Sequence, residues 1–238
     1  MKKYQKQSGM TVDAEYGEEQ GNPFFEALPE ILGKEEVMKR LRSQIPYPKD
    51  IQKMSSEERR REVMEISKWF YPMDYMYTIY DMLYRAMSAT YQTKNIVDHI
   101  RQMNDLYMDF RTGREREFQY ATQAYTGAVL GVPGIGKTST VQRCLSLMPQ
   151  VIVHTNYGGK SMYTKQINYL FVECPSDCSV RTLAFNIFSA IDRAIGSDYL
   201  KQATYQRAVA ASATTTKLKI ICMNHHIGLI VIDEIQNA

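Results

Sequence analysis

Cysteine is scarce in this chain: there are four in 238 residues, Cys144, Cys174, Cys178 and Cys222, at irregular spacing. That excludes the disulfide framework on which small secreted domains depend, and reduced thiols are the expected state. Long apolar runs are lacking as well. Nothing approaches the roughly 20 apolar residues of a membrane span, and the basic opening, residues 1–8, is not followed by the roughly 7 to 15 apolar residues of a secretory signal. A cytoplasmic protein with no membrane association is the expectation. Excess charge of one sign is also missing: the formal net charge is +3, too small in itself to announce a nucleic-acid binder. There is no internal repeat and no low-complexity tract.

What is present is an ordinary globular composition, 44% hydrophobic and 23% charged, in a chain long enough for one large or two modest domains. The charge is unevenly placed. Residues 125–238 hold ten Lys and Arg against six Asp and Glu, whereas residues 1–124 come to a net charge of −1.

Residues 1–20 are polar and without hydrophobic periodicity, and read as a mobile tail. Asn22-Pro23-Phe24-Phe25 opens an extended stretch anchored by Phe24, Phe25, Leu28 and Ile31. A short helix is predicted from Gly33 to about Ser43. Another is predicted from the cap signal Ser55-Ser56-Glu57-Glu58 to about Phe70. Between about residues 73 and 110, Ile79, Leu83, Met87, Ile96 and Ile100 recur at near-helical spacing among many Met and Tyr residues and predict two more helices. Packing of that stripe into a core is the simplest account of it, and a docking surface is the alternative. The charged stretch 111–117 around Gly113 is the best candidate boundary. It divides a mainly helical region, 21–116, from a second domain, 117–238.

In that second domain, 126–130 is an apolar run suited to a buried strand, followed by a helix from Lys137 to about Met148. Residues 151–154 and 167–173 are further strand candidates, with Tyr157-Gly158-Gly159-Lys160 as a turn that would make them a hairpin. Helices are predicted over 180–195 and about 198–211. Gly228-Leu229-Ile230-Val231-Ile232 reads as a strand buried on both faces. Strands alternating with helices imply an α/β fold with a parallel sheet.

The chemistry lies at two places. Gly131-Val132-Pro133-Gly134-Ile135-Gly136-Lys137-Thr138 matches the phosphate-binding pattern G-x-x-x-x-G-K-[ST], and Ser139 follows it. Its glycines let the backbone curl so that N–H groups converge on phosphate oxygens in front of a positive helix N-terminus. Lys137 suits the β and γ phosphates and the Thr138 hydroxyl suits Mg²⁺. Further on, an apolar strand ends in Asp233-Glu234. Asp233 is placed to hold the cation and Glu234 to orient or deprotonate an attacking water. Together these predict a P-loop ATPase using ATP and Mg²⁺. Cys174, Cys178, His154, His225 and His226 raise zinc as an option, but the spacing supplies no second ligand pair and a zinc site is not expected. His225 and His226 are expected in the loop before the last strand.

Four segments together with these motifs carry a family resemblance: Asn22-Pro23-Phe24, Pro149-Gln150-Val151-Ile152-Val153-His154, Glu173-Cys174-Pro175, and Ile230-Val231-Ile232-Asp233-Glu234-Ile235-Gln236-Asn237. The chain resembles the TnsC/TniB family of transposon-encoded AAA+ ATPases over most of its length. That resemblance implies an ATP-dependent regulator that assembles on double-stranded DNA as a ring or filament and links a target-selection protein to transposase subunits. It also implies that Ser179, Arg181 and Thr182, joined by Lys160 and Lys165 of the hairpin, face DNA phosphates. The family's chain continues past Glu234 into a sensor strand, an arginine finger and a helical lid, so a gap between Thr138 and Asp233 and slow turnover are expected of the present chain. A helicase-loader-like ATPase and a nucleotide-switched scaffold that ignores DNA are the alternative readings.

Overall fold

The computed structural model describes residues 9–16, 21–44, 50–92, 108, 111–112, 125–177, 179–205 and 211–235. Its N-terminal part is built on helices whose starts are set locally. Asn22 caps α1 (Pro23–Glu26), its side chain accepting from the Phe24 N–H, with proline at the position that needs no donor. Helix α2 (Lys34–Leu41) buries Val37 and Leu41. Ser55 and Glu58 form a reciprocal capping box at the start of α3 (Ser56–Glu65), and a 3-10 turn, Ile66–Lys68, follows directly.

Helix α4 (Tyr75–Gln92) is the centre of this region. Its Met76, Tyr80, Leu83, Met87 and Tyr91 recur every three or four residues and are all buried, so the part of the Met and Tyr stripe that α4 carries is core. The core it enters extends beyond the N-terminal region. Phe24, Val37, Leu41 and the α4 stripe share one cluster with Val141, Cys144, Leu145 and Met148, which belong to or follow helix α5 (Lys137–Leu145), and with Tyr169.

The strands form two sheets. In the first, β2 (Val151–Tyr157) and β3 (Lys160–Ile167) are an antiparallel hairpin about Gly158-Gly159, and β1 (Thr11–Asp13) lies parallel to β2 on its other side. In the second, β4 (Tyr169–Glu173) and β5 (Leu229–Asp233) run parallel, Glu173 opposite Asp233. Parallel neighbours need a long crossover. Here it comprises α6 (Val180–Ile195), α7 (Tyr199–Tyr205) and α8 (Ala211–Asn224), whose apolar faces close a second core around Val151, Ile167, Leu170, Val172, Phe188, Ile191 and Ile221. The fold is mixed α/β with a parallel strand pair and a helical N-terminal region, as the sequence predicts.

Several elements differ from expectation, each for a reason of pairing. Thr11–Asp13 lies in the expected tail yet adds a strand to the first sheet, with Thr11 opposite Val151. The hairpin partner of β2 is 160–167 rather than 167–173. The backbone breaks at Asn168, whose N–H donates to Gln150 O and whose Nδ2 donates to Pro149 O, so the chain changes sheets there. The run 126–130 is described but is no strand: no described strand lies beside it, Val129 packs on the first core, and Leu130 is 90% exposed. Of the helix expected over 198–211, Tyr199–Tyr205 is α7 and 206–210 lie outside the described residues, while α8 carries helix on from Ala211 to Asn224. Of the helix expected between 93 and 110, only residue 108 is described. No helix among the described residues is long and apolar enough to cross a membrane.

Candidate nucleotide site

The loop between 131 and 136 takes its shape from glycine. Gly134 and Gly136 have φ of 80° and 90°, the left-handed region in which a side chain is strained. Gly136 is also the residue before α5, and among the described residues no side chain caps that helix. The N–H groups of its first turn are therefore free of side-chain acceptors and face the loop, the arrangement that binds anions. Lys137 reaches back across the loop, its Nζ donating to Gly131 O at 2.8 Å and Val132 O at 3.2 Å. Gly131, Val132, Pro133, Gly134, Ile135 and Ser139 are exposed, while Lys137 and Thr138 are half-buried.

Thr138 and Asp233 meet. The Thr138 hydroxyl donates to Asp233 Oδ2 at 2.8 Å, so no gap separates the two motifs. Asp233 ends β5, and its carbonyl accepts from the Cys174 N–H next to it on the β4 side. The chain then turns sharply, with Glu234 at φ 56°. A non-glycine residue there stores on the order of 1–3 kcal/mol of strain, a cost that concentrates at functional sites.

Both halves of the site rest on α4. Behind the loop, Cys144 of α5 donates its thiol to Met76 O at 3.5 Å, and burial pushes that thiol up to about 12. The Arg143 guanidinium lies 3.8 Å from the Phe70 ring centre. At the entry to β5, Tyr91 Oη donates to His226 O at 2.7 Å and Thr90 Oγ1 to Gly228 O at 2.9 Å. A Cβ on Gly228 would stand 2.6 Å from Tyr91 Oη and 2.8 Å from Asn168 O. Sequence reasoning missed these supporting residues, though a glycine directly before an apolar strand is a recognisable sign of close backbone approach.

The residues expected to face DNA are not gathered in one place. Lys165 Nζ donates to Ile195 O at 3.0 Å, at the C-terminal end of α6. Ser179 and Thr182 lie at its other end, about 24 Å away for a helix of 16 residues. There Asp177 accepts from the Ser179 N–H at 3.1 Å and from Thr182 Oγ1 at 2.8 Å. Asp177 thereby occupies the two donors expected to meet a phosphate. Arg181 lies over the Phe185 ring at 5.5 Å, and Lys160 begins β3. His225 and His226 occupy the turn before β5, and His154 is fully buried on β2. Cys174 is buried beside Asp233, and Cys178 lies outside the described residues.

The donors present fit a magnesium nucleotide. A hydroxyl and a carboxylate are the oxygen ligands that a hard divalent cation takes, and the uncapped N–H groups with the Lys137 ammonium suit a polyphosphate. Comparison with curated proteins finds no match. A family model described as an AAA domain matches residues 120–238. That match spans the loop, the Thr138–Asp233 contact and the parallel strand pair, and the chain belongs to the AAA domain family of ATPases.

Proposed function

We propose that the chain binds ATP with Mg²⁺ and serves as an ATP-dependent regulator of DNA transposition, assembling on target DNA and linking a target-selection protein to the transposase. The nucleotide part of this reading is carried by the hydrogen bond between Thr138 and Asp233, which joins the loop helix to the acidic strand end. The transposition part rests on the sequence resemblance.

Bound nucleotide supplies the phosphoryl group to be passed to water and brings the cation that offsets its charge. The chain's own residues do the rest. The first-turn N–H groups of α5 hold the phosphate chain. Lys137 exchanges its two loop carbonyls for phosphate oxygens, a stronger, charge-assisted pairing. Thr138 and Asp233 are the residues that would hold the cation, once the hydrogen bond between them is released. Glu234 orients water or takes its proton.

The test is binding to duplex DNA with and without ATP and Mg²⁺, in the wild type and in Lys137→Ala. The expected result is binding that needs both nucleotide and Lys137 and weakens with salt, with log K falling by roughly 0.9 per phosphate neutralised for each log unit of salt. Nucleotide binding without DNA affinity would favour a nucleotide-switched scaffold. The engagement of Lys165 with Ile195 O and of Ser179 and Thr182 with Asp177 already supports that second reading.

A further inference from the structure

Helix α3 is ten residues long and buries none of them. A helix of that length is marginal in water unless a face is packed, and the capping box strengthens only its first turn. Its two sides differ in chemistry. Arg59, Arg60, Val63 and Met64 stand three or four residues apart and share one side, while Glu58, Glu62 and Glu65 share the other. A surface helix normally turns its apolar side toward the body of the protein. Here the order is reversed. Glu62 and Glu65 are partly covered, whereas Val63 is 64% and Met64 74% exposed. The stripe continues through the 3-10 turn, where every third residue is aligned, to Ile66 at 62% and Trp69 at 57%. Glu65 is paired with Lys68, and Arg59, Arg60 and Arg61 make no ion pair among the described residues.

We propose that the outward stripe of Arg59, Arg60, Val63, Met64, Ile66 and Trp69 is a docking surface for a partner protein segment whose apolar residues are flanked by aspartate or glutamate. Contact of this stripe buries four large apolar side chains and matches two unpaired guanidinium groups with carboxylates, which pair with arginine in bidentate fashion. A second copy of the chain fits poorly, because a two-fold contact would set the arginine-flanked stripe against itself. The four glutamates of α3 count against an anionic lipid surface.

Trp69 is the only tryptophan in the sequence, so its fluorescence reports on this stripe. The experiment titrates the protein with a synthetic tryptophan-free peptide of leucines flanked by aspartate and glutamate. The same leucines flanked by lysine, and vesicles of anionic phospholipid, serve as comparisons. The expected result is a saturable blue shift with the acidic peptide alone, weakened at least tenfold in Arg59→Glu/Arg60→Glu and in Met64→Ser. Both variants should keep the wild-type circular dichroism, since the side chains are exposed. Equal binding of the lysine peptide, no shift with either peptide, or an unchanged affinity in the double variant would overturn the proposal. So would a blue shift produced by protein concentration alone or by the vesicles alone.

Discussion

Thr138 and Asp233 are 95 residues apart in sequence and 2.8 Å apart in space, and each has its own reason to be where it is. Thr138 is carried by the second residue of α5, and Asp233 by the last residue of β5. Losing either oxygen should cost the cation rather than the phosphate grip. In Thr138→Ala and Asp233→Asn, nucleotide binding measured with Mg²⁺ is expected to weaken by roughly tenfold or more. With a chelator present these variants should match the wild type, and Thr138→Ser should match it in both conditions. An equal loss with and without Mg²⁺ would mean that the pair holds the loop together and does not serve a cation. Gly228 offers a second single-residue test. Alanine there would force a carbon to 2.6 Å from Tyr91 Oη and break the hydrogen bond that Tyr91 makes to His226 O. A destabilisation of about 1–3 kcal/mol is expected in chemical denaturation; a neutral Gly228→Ala would mean that α4 does not brace the entry to β5.

At the scale of elements, β1 is held to β2 by more than its ladder. Tyr16 Oη is 2.6 Å from His154 Nδ1, and His154 Nε2 is 2.8 Å from Gln166 Oε1. Gln166 Nε2 in turn donates to Phe24 O at 3.0 Å and Asn168 Oδ1 at 2.9 Å. Gln166 Oε1 is thereby left as the acceptor, so His154 donates from Nε2, and in the neutral form that burial favours its Nδ1 receives from Tyr16. Burial lowers the pKa of His154 against the upward pull of that Gln166 bond, and burial also lowers that of His225. A histidine whose folded pKa is depressed contributes fully above its unfolded value of about 6.5. As pH falls below that value the unfolded chain takes the proton first, so stability declines until the folded pKa is passed. The melting temperature is therefore expected to drop when the pH is lowered from about 7.5 to about 5.5, and the drop should be smaller in His154→Gln. A slope identical to wild type in that variant would move the effect to His225 or to the carboxylates.

The elements that sequence reasoning found are those whose pattern is local. The curl of 131–136 needs glycine at left-handed φ, α5 follows from its period, and β5 follows from four apolar residues, 229–232, that lead into acids. What it missed depends on distant partners. Thr11–Asp13 is too short to show a period and is a strand only because β2 lies beside it. Residues 160–167 carry Lys, Ser, Thr and Gln between apolar positions, and nothing local marks them as the strand after the turn. α8 runs through Thr214-Thr215-Thr216, β-branched residues that argue against a helix until Ile221 is packed under α6. The run 126–130 has the composition of a strand, yet composition cannot provide the neighbour that a ladder requires.

At the scale of the molecule, the helical region and the nucleotide domain share one core. Val141, Cys144, Leu145 and Met148 behind the nucleotide loop are covered by Met76, Tyr80, Leu83 and Met87 of α4. Each such side chain contributes about 1.5–3 kcal/mol on full burial. Val141, Leu145 and Met148 alone therefore represent a gross burial of on the order of 5–9 kcal/mol, comparable with the net stability of a typical domain at about 5–15 kcal/mol. The nucleotide half should thus depend on the helical half to fold. Residues 125–238 expressed alone are expected to bind a hydrophobic dye and to melt without a cooperative transition, whereas the full chain melts in one. Labelling of Cys144 by a thiol reagent supplies an independent readout. Buried, with its thiol pushed up to about 12, it should react in the full chain only as fast as global unfolding exposes it, and at once in the isolated half. A cooperative, dye-free 125–238 fragment with a protected Cys144 would show instead that the nucleotide domain folds independently and that α4 is an attachment to it.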